Sequence, residues 1–310
     1  MKKSPLLYIF VILAWGLVAT ILLWQTVNIS INLFNNETID LWKKILSEIF
    51  LCGNCVCFLY FWLNSIKDLM FSVFYVFLHK KMLKTYSLFD ERCKDTTKRI
   101  LLLYCTCNDF NEEALLKSSQ QDYPNAKLVI LDDSSKQEYK ESVDKFASQH
   151  NFEVVRRENH VGFKAGNLNN YLNNVNPDDY DYLVVLDSDE IIPNDFVSKI
   201  LTYFEKDGDI GAVQTAHVAS KSTNLFQEML GMCVKSNGKV CQIMKNFYGS
   251  TSLFGHGMII SKECFKKVGV SQKLLPKIFQ FLLRLEMQAI KLCLHQTLFV
   301  KNNSQQIIYP

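Results

Sequence analysis

Short apolar runs alternate with amphipathic stretches from about residue 98 onward. Runs rich in Leu, Ile, Val and Tyr predict strands at residues 100–104, 127–131, 152–156 and 182–186. Helical spacing predicts helices at residues 112–119, 136–149, 166–173 and 196–204. Ser134 or Ser135 is expected to cap the second helix, and Asn194 or Asp195 the fourth. Strands that alternate with helices in this way predict an α/β domain with a largely parallel sheet.

The first 84 residues have a different pattern, with apolar runs long enough to cross a membrane. Residues Pro5 to Trp24 contain no charged side chain and would span about 30 Å as a helix. A second apolar stretch begins at Ile49 and ends at Leu78. We therefore expect a membrane region at residues 1–84, with transmembrane helices at about residues 5–26 and 47–78. A cleaved signal peptide is the alternative for the first segment, because two lysines precede it.

The distribution of lysines predicts how these helices are oriented. Lysines lie at both ends of the membrane region, whereas the short connection between the helices has only Lys43 and Lys44. The positive-inside tendency then puts the N-terminus and everything after residue 80 in the cytoplasm. We expect an integral membrane protein, located in the plasma membrane. Residues 85–97, rich in Lys, Asp and Thr, are predicted to form a linker to the domain that follows.

Two of the predicted strands end in paired carboxylates. Asp132-Asp133 follows the strand at residues 127–131, and Asp187-Ser188-Asp189 follows the strand at residues 182–186. Parallel strands bring their carboxyl ends to one edge of a sheet, which is where open α/β sheets hold ligands. A hard divalent cation that bridges phosphate oxygens needs carboxylate ligands on a rigid backbone. The pattern therefore favours a site for a metal ion and a diphosphate over ordinary loop polarity.

A third feature offers a way to hold phosphate. Lys164-Ala165-Gly166 puts a cation beside a glycine at the start of a predicted helix, whose free N–H groups favour an anion. Taken alone, this segment also fits an ordinary helix start with a solvated lysine. The sequence has neither Gly-x-Gly-x-x-Gly after the first strand nor a Walker loop, which excludes the common nicotinamide and ATP cradles. The net charge of +3 does not distinguish among function classes.

Five short motifs together resemble, in order and spacing, the cytoplasmic domain of glycosyltransferase family 2. The similarity is to the membrane-bound branch of cellulose synthase and of hyaluronan or poly-N-acetylglucosamine synthase. The motifs are Thr106 with Phe110-Asn111-Glu112, Gln121-Asp122-Tyr123-Pro124, Asp132-Asp133-Ser134-Ser135, Lys164-Ala165-Gly166-Asn167 and Asp187-Ser188-Asp189. The resemblance covers residues 98–270 and implies the GT-A fold of nucleotide-diphospho-sugar transferases. It also implies a strand through residues 211–215 and a helix that begins at Asn224.

The resemblance implies a processive, inverting hexosyltransferase. Such an enzyme moves a sugar from a UDP-sugar donor to a growing β-linked polysaccharide. The implied partners are the donor, a glycan acceptor and the lipid bilayer, with no nucleic acid.

The resemblance also implies roles for individual residues. Thr106 and Glu112 would line the nucleoside pocket, and Asp132 or Asp133 would contact the uracil or ribose. Lys164 would approach the diphosphate. Mg²⁺ or Mn²⁺ would be held by Asp187 and Asp189, with Asp189 as the more direct ligand. His256, in the segment Phe254-Gly255-His256-Gly257, either touches the acceptor sugar or occupies a polar turn.

The resemblance stops near residue 270. The family continues with a Thr-Glu-Asp or similar motif, whose Asp takes the acceptor proton, then Gln-x-x-Arg-Trp and further membrane helices. Residues 271–310 instead form an apolar and basic tail in which Glu286 is the only acidic side chain, so no general base can be assigned there. Back-translation of residues 270–296 with freely chosen AT-rich codons, read from the third base of the Val270 codon, gives a peptide that contains Thr-Glu-Asp at the expected place. We therefore hypothesise a frameshift near codon 270 that left the tail out of frame.

Three interpretations of function follow. The chain is a glycosyltransferase by lineage, with little or no transfer in this form. Alternatively, it is a non-catalytic membrane protein that binds a nucleotide sugar, or a remnant. A lipid-phosphate glycosyltransferase is the third, because such an enzyme shares the fold and the acidic motifs without making polymer. Apolar residues between 275 and 285 fit an amphipathic helix, which would carry no designed meaning if the frame is shifted.

Overall fold

A computed structural model describes residues 6–87, 89, 91–219, 224–248 and 251–268, and the backbone of residues 291–302. The chain divides into two compact units. The first contains residues 1–79 and 247–249, and the second contains residues 80–246 and 250–310. Glu286 and the amphipathic pattern at residues 275–285 lie outside the described residues.

Two long helices, α1 (Leu6–Asn35) and α2 (Leu41–Ser87), account for most of the first unit. Both are long and apolar enough to cross a membrane, by length and composition. Each extends beyond the predicted span, and residues 85–87 of the predicted linker are helical. Trp15 Nε1 donates a hydrogen bond of 2.9 Å to Leu59 O, and Ser30 Oγ donates one of 2.9 Å to Glu48 Oε1. These contacts make α1 and the first part of α2 an antiparallel pair.

The second unit is built on a mixed sheet. The described strands are β1 (Ile100–Thr106), β2 (Ala126–Asp132), β3 (Glu153–Val155), β4 (Tyr182–Asp187), β5 (Glu190–Ile191), β6 (Ile210–Ala219), β7 (Met258–Ser261) and β8 (Lys291–Asn302). Their order is β3-β2-β1-β4-β7-β6-β8-β5. The pairs β1–β2, β1–β4, β2–β3 and β6–β8 are parallel, whereas β7 runs antiparallel to β4 and β6, and β5 antiparallel to β8. The predicted α/β class with a mostly parallel sheet is confirmed. Strand β8 falls within the predicted tail.

Helices cover both faces of this sheet, and the central strands are therefore buried on both sides. Leu102 and Tyr104 of β1 join one core cluster, and Leu101 and Leu103 join another. This alternation is the strand period of two, applied to a strand without a solvent face. The helices are α3 (Glu112–Ser119), α4 (Gln137–His150), α5 (Phe163–Asn174), α6 (Phe196–Lys206), α7 (Leu225–Ser236), α8 (Ile243–Tyr248) and α9 (Lys262–Val268).

The predicted helix starts are partly correct. Helix α4 begins after Lys136, so the predicted cap at Ser134 or Ser135 is wrong. The reason is that both serine hydroxyls accept from Asn108: Ser134 Oγ from its N–H at 2.9 Å, and Ser135 Oγ from its Nδ2 at 3.0 Å. The two serines therefore tie down the loop after β1.

Two other helix starts agree with the sequence more closely. Helix α6 begins after Asp195, as predicted. The carboxylate of Asp195 makes no capping hydrogen bond, however, because its Oδ2 pairs with Lys199 Nζ at 3.0 Å. Helix α7 begins after Asn224, whose side chain accepts from Gln227 N–H at 2.9 Å. This second start is confirmed with its capping contact.

Candidate functional site

The carboxyl ends of β1, β2 and β4 meet at one level of the sheet. Thr106 of β1 is in register with Asp132 of β2, and Cys105 of β1 is in register with Asp187 of β4. Asp133 N–H donates to Thr106 O at 2.9 Å, which holds the end of β2 against β1. The two acidic segments therefore lie at the same edge, as the spacing predicts.

Two arginines hold the first acidic pair. Asp132, which is 1% exposed, accepts from Arg156 Nε at 2.6 Å. Asp133 accepts from Arg157 at 2.8 and 2.5 Å and from His160 Nδ1 at 2.8 Å. Burial would raise the pKa of Asp133, but the hydrogen bonds from Arg157 and His160 outweigh it and hold that pKa below its ordinary value. Both carboxylates are therefore paired with protein cations.

The sequence did not predict these arginine contacts. The available signal was two consecutive arginines, Arg156 and Arg157, directly after β3. Since β3 pairs with β2, the residues that follow β3 come to lie beside the acidic end of β2.

Three carboxylates crowd the turn after β4: Asp187, Asp189 and Glu190. Burial raises the pKa of Asp189 to about 6, and the negative charges of Glu190 and Asp187 contribute to that rise. A carboxylate that is hard to ionise beside other carboxylates gains most from a nearby cation. Oxygen ligands are also those that Mg²⁺ and Mn²⁺ prefer. The donor set and its electrostatics therefore fit a hard divalent cation at Asp187 and Asp189.

Lys164 supplies a cation at the same turn. It lies in the first turn of α5, which begins at Phe163, three positions before the predicted start. Its Nζ contacts the carboxylate of Asp187 and donates to Gly255 O at 3.4 Å. A Cβ at Gly166 would overlap Val161 O and lie 2.5 Å from Arg157 Nη1. Only glycine at this position therefore permits the segment between β3 and α5 to pack this closely against α5.

A polar link connects β1 to the acidic turn. Asp109 accepts from Thr106 Oγ1 at 2.9 Å with one carboxylate oxygen and from Ser188 Oγ at 2.6 Å with the other. Thr106, which is 3% exposed, is thus connected to the acidic turn through Asp109.

Glu112 is placed differently, on the exposed first turn of α3, where its Oε1 accepts from Ser142 Oγ of α4 at 3.4 Å. The structure brings the predicted site residues together, apart from Glu112.

His256 is the last predicted residue at this edge, and it contacts a carboxylate. It lies between Gly255 (φ 86°) and Gly257 (φ 56°), both in the left-handed region. His256 Nδ1 is 2.6 Å from Glu190 Oε1 and 3.7 Å from Asp187 Oδ2. Burial works against a charged imidazole, but the hydrogen bond and charge of Glu190 raise the pKa of His256 above its ordinary value.

Glu190 and His217 were not predicted as site residues. Glu190 is fully buried, and its Oε1 is also 3.3 Å from Nδ1 of His217, which is 7% exposed. The signal for Glu190 was its place directly after Asp189. His217 gave no signal beyond being a polar residue in β6, because its neighbours depend on the strand order.

Comparison with known proteins identifies the family of this domain. A model of Glycosyl transferase family 2 matches residues 105–269, more than half of the chain. Poly-beta-1,6-N-acetyl-D-glucosamine synthase of Staphylococcus epidermidis is 25% identical over 218 residues, covering 66% of this chain and 49% of that protein. Glucans biosynthesis glucosyltransferase H of Pseudomonas paraeruginosa is 29% identical over 112 residues, covering 36% of this chain and 13% of that protein. The chain spans about half of the first relative's length and a much smaller part of the second's.

Among solved structures, the mannosyltransferase PcManGT of Pyrobaculum calidifontis, in complex with GDP-Man and Mn²⁺, has a similar fold. The TM-score is 0.52 at 17% identity, covering 78% of this chain and 70% of that one. This likeness shows the GT-A fold. Together with the family match over residues 105–269, it leads to the conclusion that the chain belongs to glycosyltransferase family 2.

Proposed function

We propose that this chain binds a UDP-sugar through a divalent cation, and that its lineage transfers the sugar to a growing β-linked polysaccharide with inversion. The observation that carries the proposal is the convergence of Lys164, Asp187 and Asp189 at the end of β4 in a family 2 domain. Breaking a sugar–phosphate bond leaves negative charge on the diphosphate, which a metal ion and a lysine can neutralise.

In this proposal, Asp187 and Asp189 hold Mg²⁺ or Mn²⁺, with Asp189 as the more direct ligand. Lys164 binds the diphosphate. The nucleoside lies toward β1 and β2, near Thr106 and the pair Asp132-Asp133. Glu112 belongs to the same nucleoside side, with its exposed carboxylate on α3.

A polysaccharide is the proposed acceptor class. The support is that one relative is named as a synthase of poly-β-1,6-N-acetylglucosamine and another as a glucan-biosynthesis glucosyltransferase. A lipid-phosphate acceptor is therefore the less supported alternative. We further propose that α1 and α2 cross the plasma membrane and that the second unit lies in the cytoplasm. The support is that more lysines lie before α1 and at the end of α2 than in the connection between the two helices.

We also propose that the 310-residue chain itself transfers little or no sugar. The support is the absence of Thr-Glu-Asp from the sequence, together with the frameshift hypothesis for residues 271–310. The same absence favours a second candidate function, in which the chain binds a nucleotide sugar without catalysis. Sequencing of genomic DNA and transcript through codons 260–310 tests the frame directly. An offset frame that encodes Thr-Glu-Asp supports the hypothesis, and DNA without such a segment in any frame contradicts it.

A donor-retention experiment tests the proposed function. The full chain in detergent is incubated with radiolabelled UDP-N-acetylglucosamine or UDP-glucose, with Mn²⁺ or with EDTA. We expect Mn²⁺-dependent retention of at least one donor and no labelled polymer. Failure to retain either donor would overturn the proposed donor site, whereas polymer formation would overturn only the proposed inactivity.

A further inference from the structure

The loop between β3 and α5 places a phenyl ring in solvent at the edge of the proposed donor site. Phe163 is 85% exposed, and no large apolar side chain in the described part of the chain is more exposed. Exposure alone would need no explanation, because single apolar side chains are common on protein surfaces. The backbone of this residue does need one.

Phe163 has φ of 50°, in the left-handed region. A bulky side chain rarely adopts this conformation, because its Cβ comes close to the following carbonyl oxygen. Phe163 is the first residue of α5 and follows Gly162, whose φ is 82°. Glycine or asparagine would occupy position 163 at a lower cost in conformational energy. Local folding therefore does not account for a phenylalanine here, and strained residues of this kind occur preferentially at functional sites.

Arg157 holds the loop in this conformation. Its Nη1 donates to Val161 O at 2.7 Å, and its Nη2 donates to Phe163 O at 3.0 Å. The same guanidinium donates to Asp133 through Nε and Nη2, and the side chain of Arg157 is 5% exposed. One buried cation therefore fixes the start of α5 relative to Asp133, and the position of Phe163 is set before any ligand arrives.

Phe163 lies between two parts of the proposed donor site. Its carbonyl oxygen and the Asp133 carboxylate share Arg157 Nη2, which puts Phe163 on the nucleoside side. The next residue, Lys164, contacts Asp187 on the diphosphate side. Phosphates and ribose hydroxyls need polar partners, whereas the planar face of a base suits a phenyl ring. The transferred sugar is attached to the distal phosphate, away from the nucleoside, so a position beside Asp133 favours the base.

Two other phenyl rings near this edge already have partners within the protein. Phe110, in the loop after β1, packs against the core, with its ring centroid 5.6 Å from that of Phe146. Phe254, in the loop before β7, meets the ring of His217 edge-on, with the ring centroids 5.8 Å apart. In the described loops at this edge of the sheet, Phe163 is thus the exposed phenyl ring.

We propose that the ring of Phe163 stacks on the base of the bound nucleoside diphosphate, and that Arg157 positions the ring by fixing the loop. The inference rests on the proposed donor site. Stacking supplies affinity for a base without selecting among bases, because every base has a π-face. The ring therefore strengthens donor binding and leaves the choice of base to polar contacts.

The test compares UDP with 5,6-dihydro-UDP, whose base keeps the hydrogen-bonding groups of uracil but is not planar. Isothermal titration with Mn²⁺ is run on the full chain in detergent for wild type and three variants. Phe163→Tyr keeps the ring. Phe163→Leu removes the ring while leaving the same demand on the backbone, and Phe163→Gly removes the ring while relieving that demand.

We expect wild type and Phe163→Tyr to bind UDP more tightly than dihydro-UDP. Phe163→Leu and Phe163→Gly should bind UDP about tenfold more weakly and lose that preference. Phe163→Gly should melt at no lower temperature than Phe163→Leu, which separates loss of the ring from misfolding. Phe226→Leu is the matched control, because Phe226 on α7 is 72% exposed, and this variant should keep both affinities.

The possible results separate the inference from the donor site. If wild type binds UDP with Mn²⁺ while Phe163→Leu and Phe163→Gly keep its affinity and its preference, the inference is overturned and the donor site stands. Equal losses for UDP and dihydro-UDP in these two variants would also overturn the inference, since they would show an effect on the loop and not on the base. Wild type without Mn²⁺-dependent UDP binding overturns both proposals.

Discussion

The ammonium of Lys164 contacts the carboxylate of Asp187, joining the start of α5 to the end of β4. Burial alone would lower the pKa of Lys164, but Cys105 and Asp187 around it raise that pKa above its ordinary value. The lysine therefore stays charged at neutral pH. In the proposed donor site, Asp187 and Asp189 would hold the cation, and the charged ammonium of Lys164 would bind the diphosphate.

Lys164→Gln is expected to weaken UDP binding by about tenfold or more in the presence of Mn²⁺, because charge-assisted hydrogen bonds are worth about 1.5–3 kcal/mol. Isothermal titration on the full chain in detergent measures the effect. Lys117→Gln is the control, since Lys117 forms an exposed pair with Glu113 on α3. Equal UDP affinities in the two variants would contradict the role of Lys164.

Asp189→Asn is expected to stabilise the metal-free protein while abolishing its response to Mn²⁺. The pKa of Asp189 is about 6 in the folded chain, above its ordinary value, so ionisation at pH 7.5 costs stability. Removing that charge should raise the free energy of unfolding at pH 7.5 by on the order of 1–3 kcal/mol. As the pH falls through 6, folded wild type takes up a proton that the unfolded chain does not yet bind. Wild type then gains stability, and its deficit relative to the variant should shrink toward pH 4.

Thermal unfolding from pH 7.5 to pH 5 checks this, with and without Mn²⁺. All four tryptophans lie in the first unit, so unfolding of the second unit is followed by the reaction of its buried cysteines with a thiol dye; in the described residues these are Cys105 and Cys264. A variant that is less stable than wild type at pH 7.5, by a margin that does not change with pH, would disprove the electrostatic account of Asp189.

Gly166→Ala should destabilise the second unit, although alanine normally favours a helix over glycine by up to about 1 kcal/mol. The new Cβ would overlap Val161 O and press on Arg157 Nη1 at 2.5 Å. Gly208→Ala is the matched control, because a methyl group at that position would meet no neighbouring atom within 4 Å. We expect a lower melting temperature and weaker UDP binding for Gly166→Ala alone. Equal melting temperatures for the two variants would argue against the close approach at Gly166.

Arg157→Ala should cost about 3–5 kcal/mol of stability, because it leaves Asp133 buried without its bidentate partner. Arg92→Ala serves for comparison, since Arg92 is 65% exposed beside Asp122 and such pairs contribute about 1 kcal/mol or less. Adding Asp133→Asn to Arg157→Ala should restore part of the loss. Chemical denaturation of all three variants measures these differences, and similar losses for Arg157→Ala and Arg92→Ala would count against a buried ion pair.

Local pattern was sufficient to predict most elements of the second unit. Helix α3 has the predicted bounds, and the strands β1, β2 and β4 lie within one or two residues of prediction, because continuous apolar runs mark strands buried on both faces. The convergence of Asp132 and Asp187 also followed from the sequence, since parallel strands share their carboxyl edge.

Contacts that depend on strand order were not predictable in this way. His217 lies on β6 and reaches Glu190 because the sheet places β6 two strands from β4, with β7 between them. Arg157 reaches Asp133 because β3 pairs with β2. The capping prediction at Ser134 failed for a similar reason: Asn108, from another loop, donates to the hydroxyl. Side chains whose partners are distant in sequence need the fold before their roles can be assigned.

The central claim is that the acidic turn and Lys164 bind a nucleoside diphosphate through a divalent cation. Isothermal titration of UDP into the full chain in detergent, once with Mn²⁺ and once with EDTA, tests it most directly. We predict binding that is at least about tenfold tighter with Mn²⁺, equivalent to about 1.4 kcal/mol. Equally weak binding under both conditions, or no binding in either, would contradict the account.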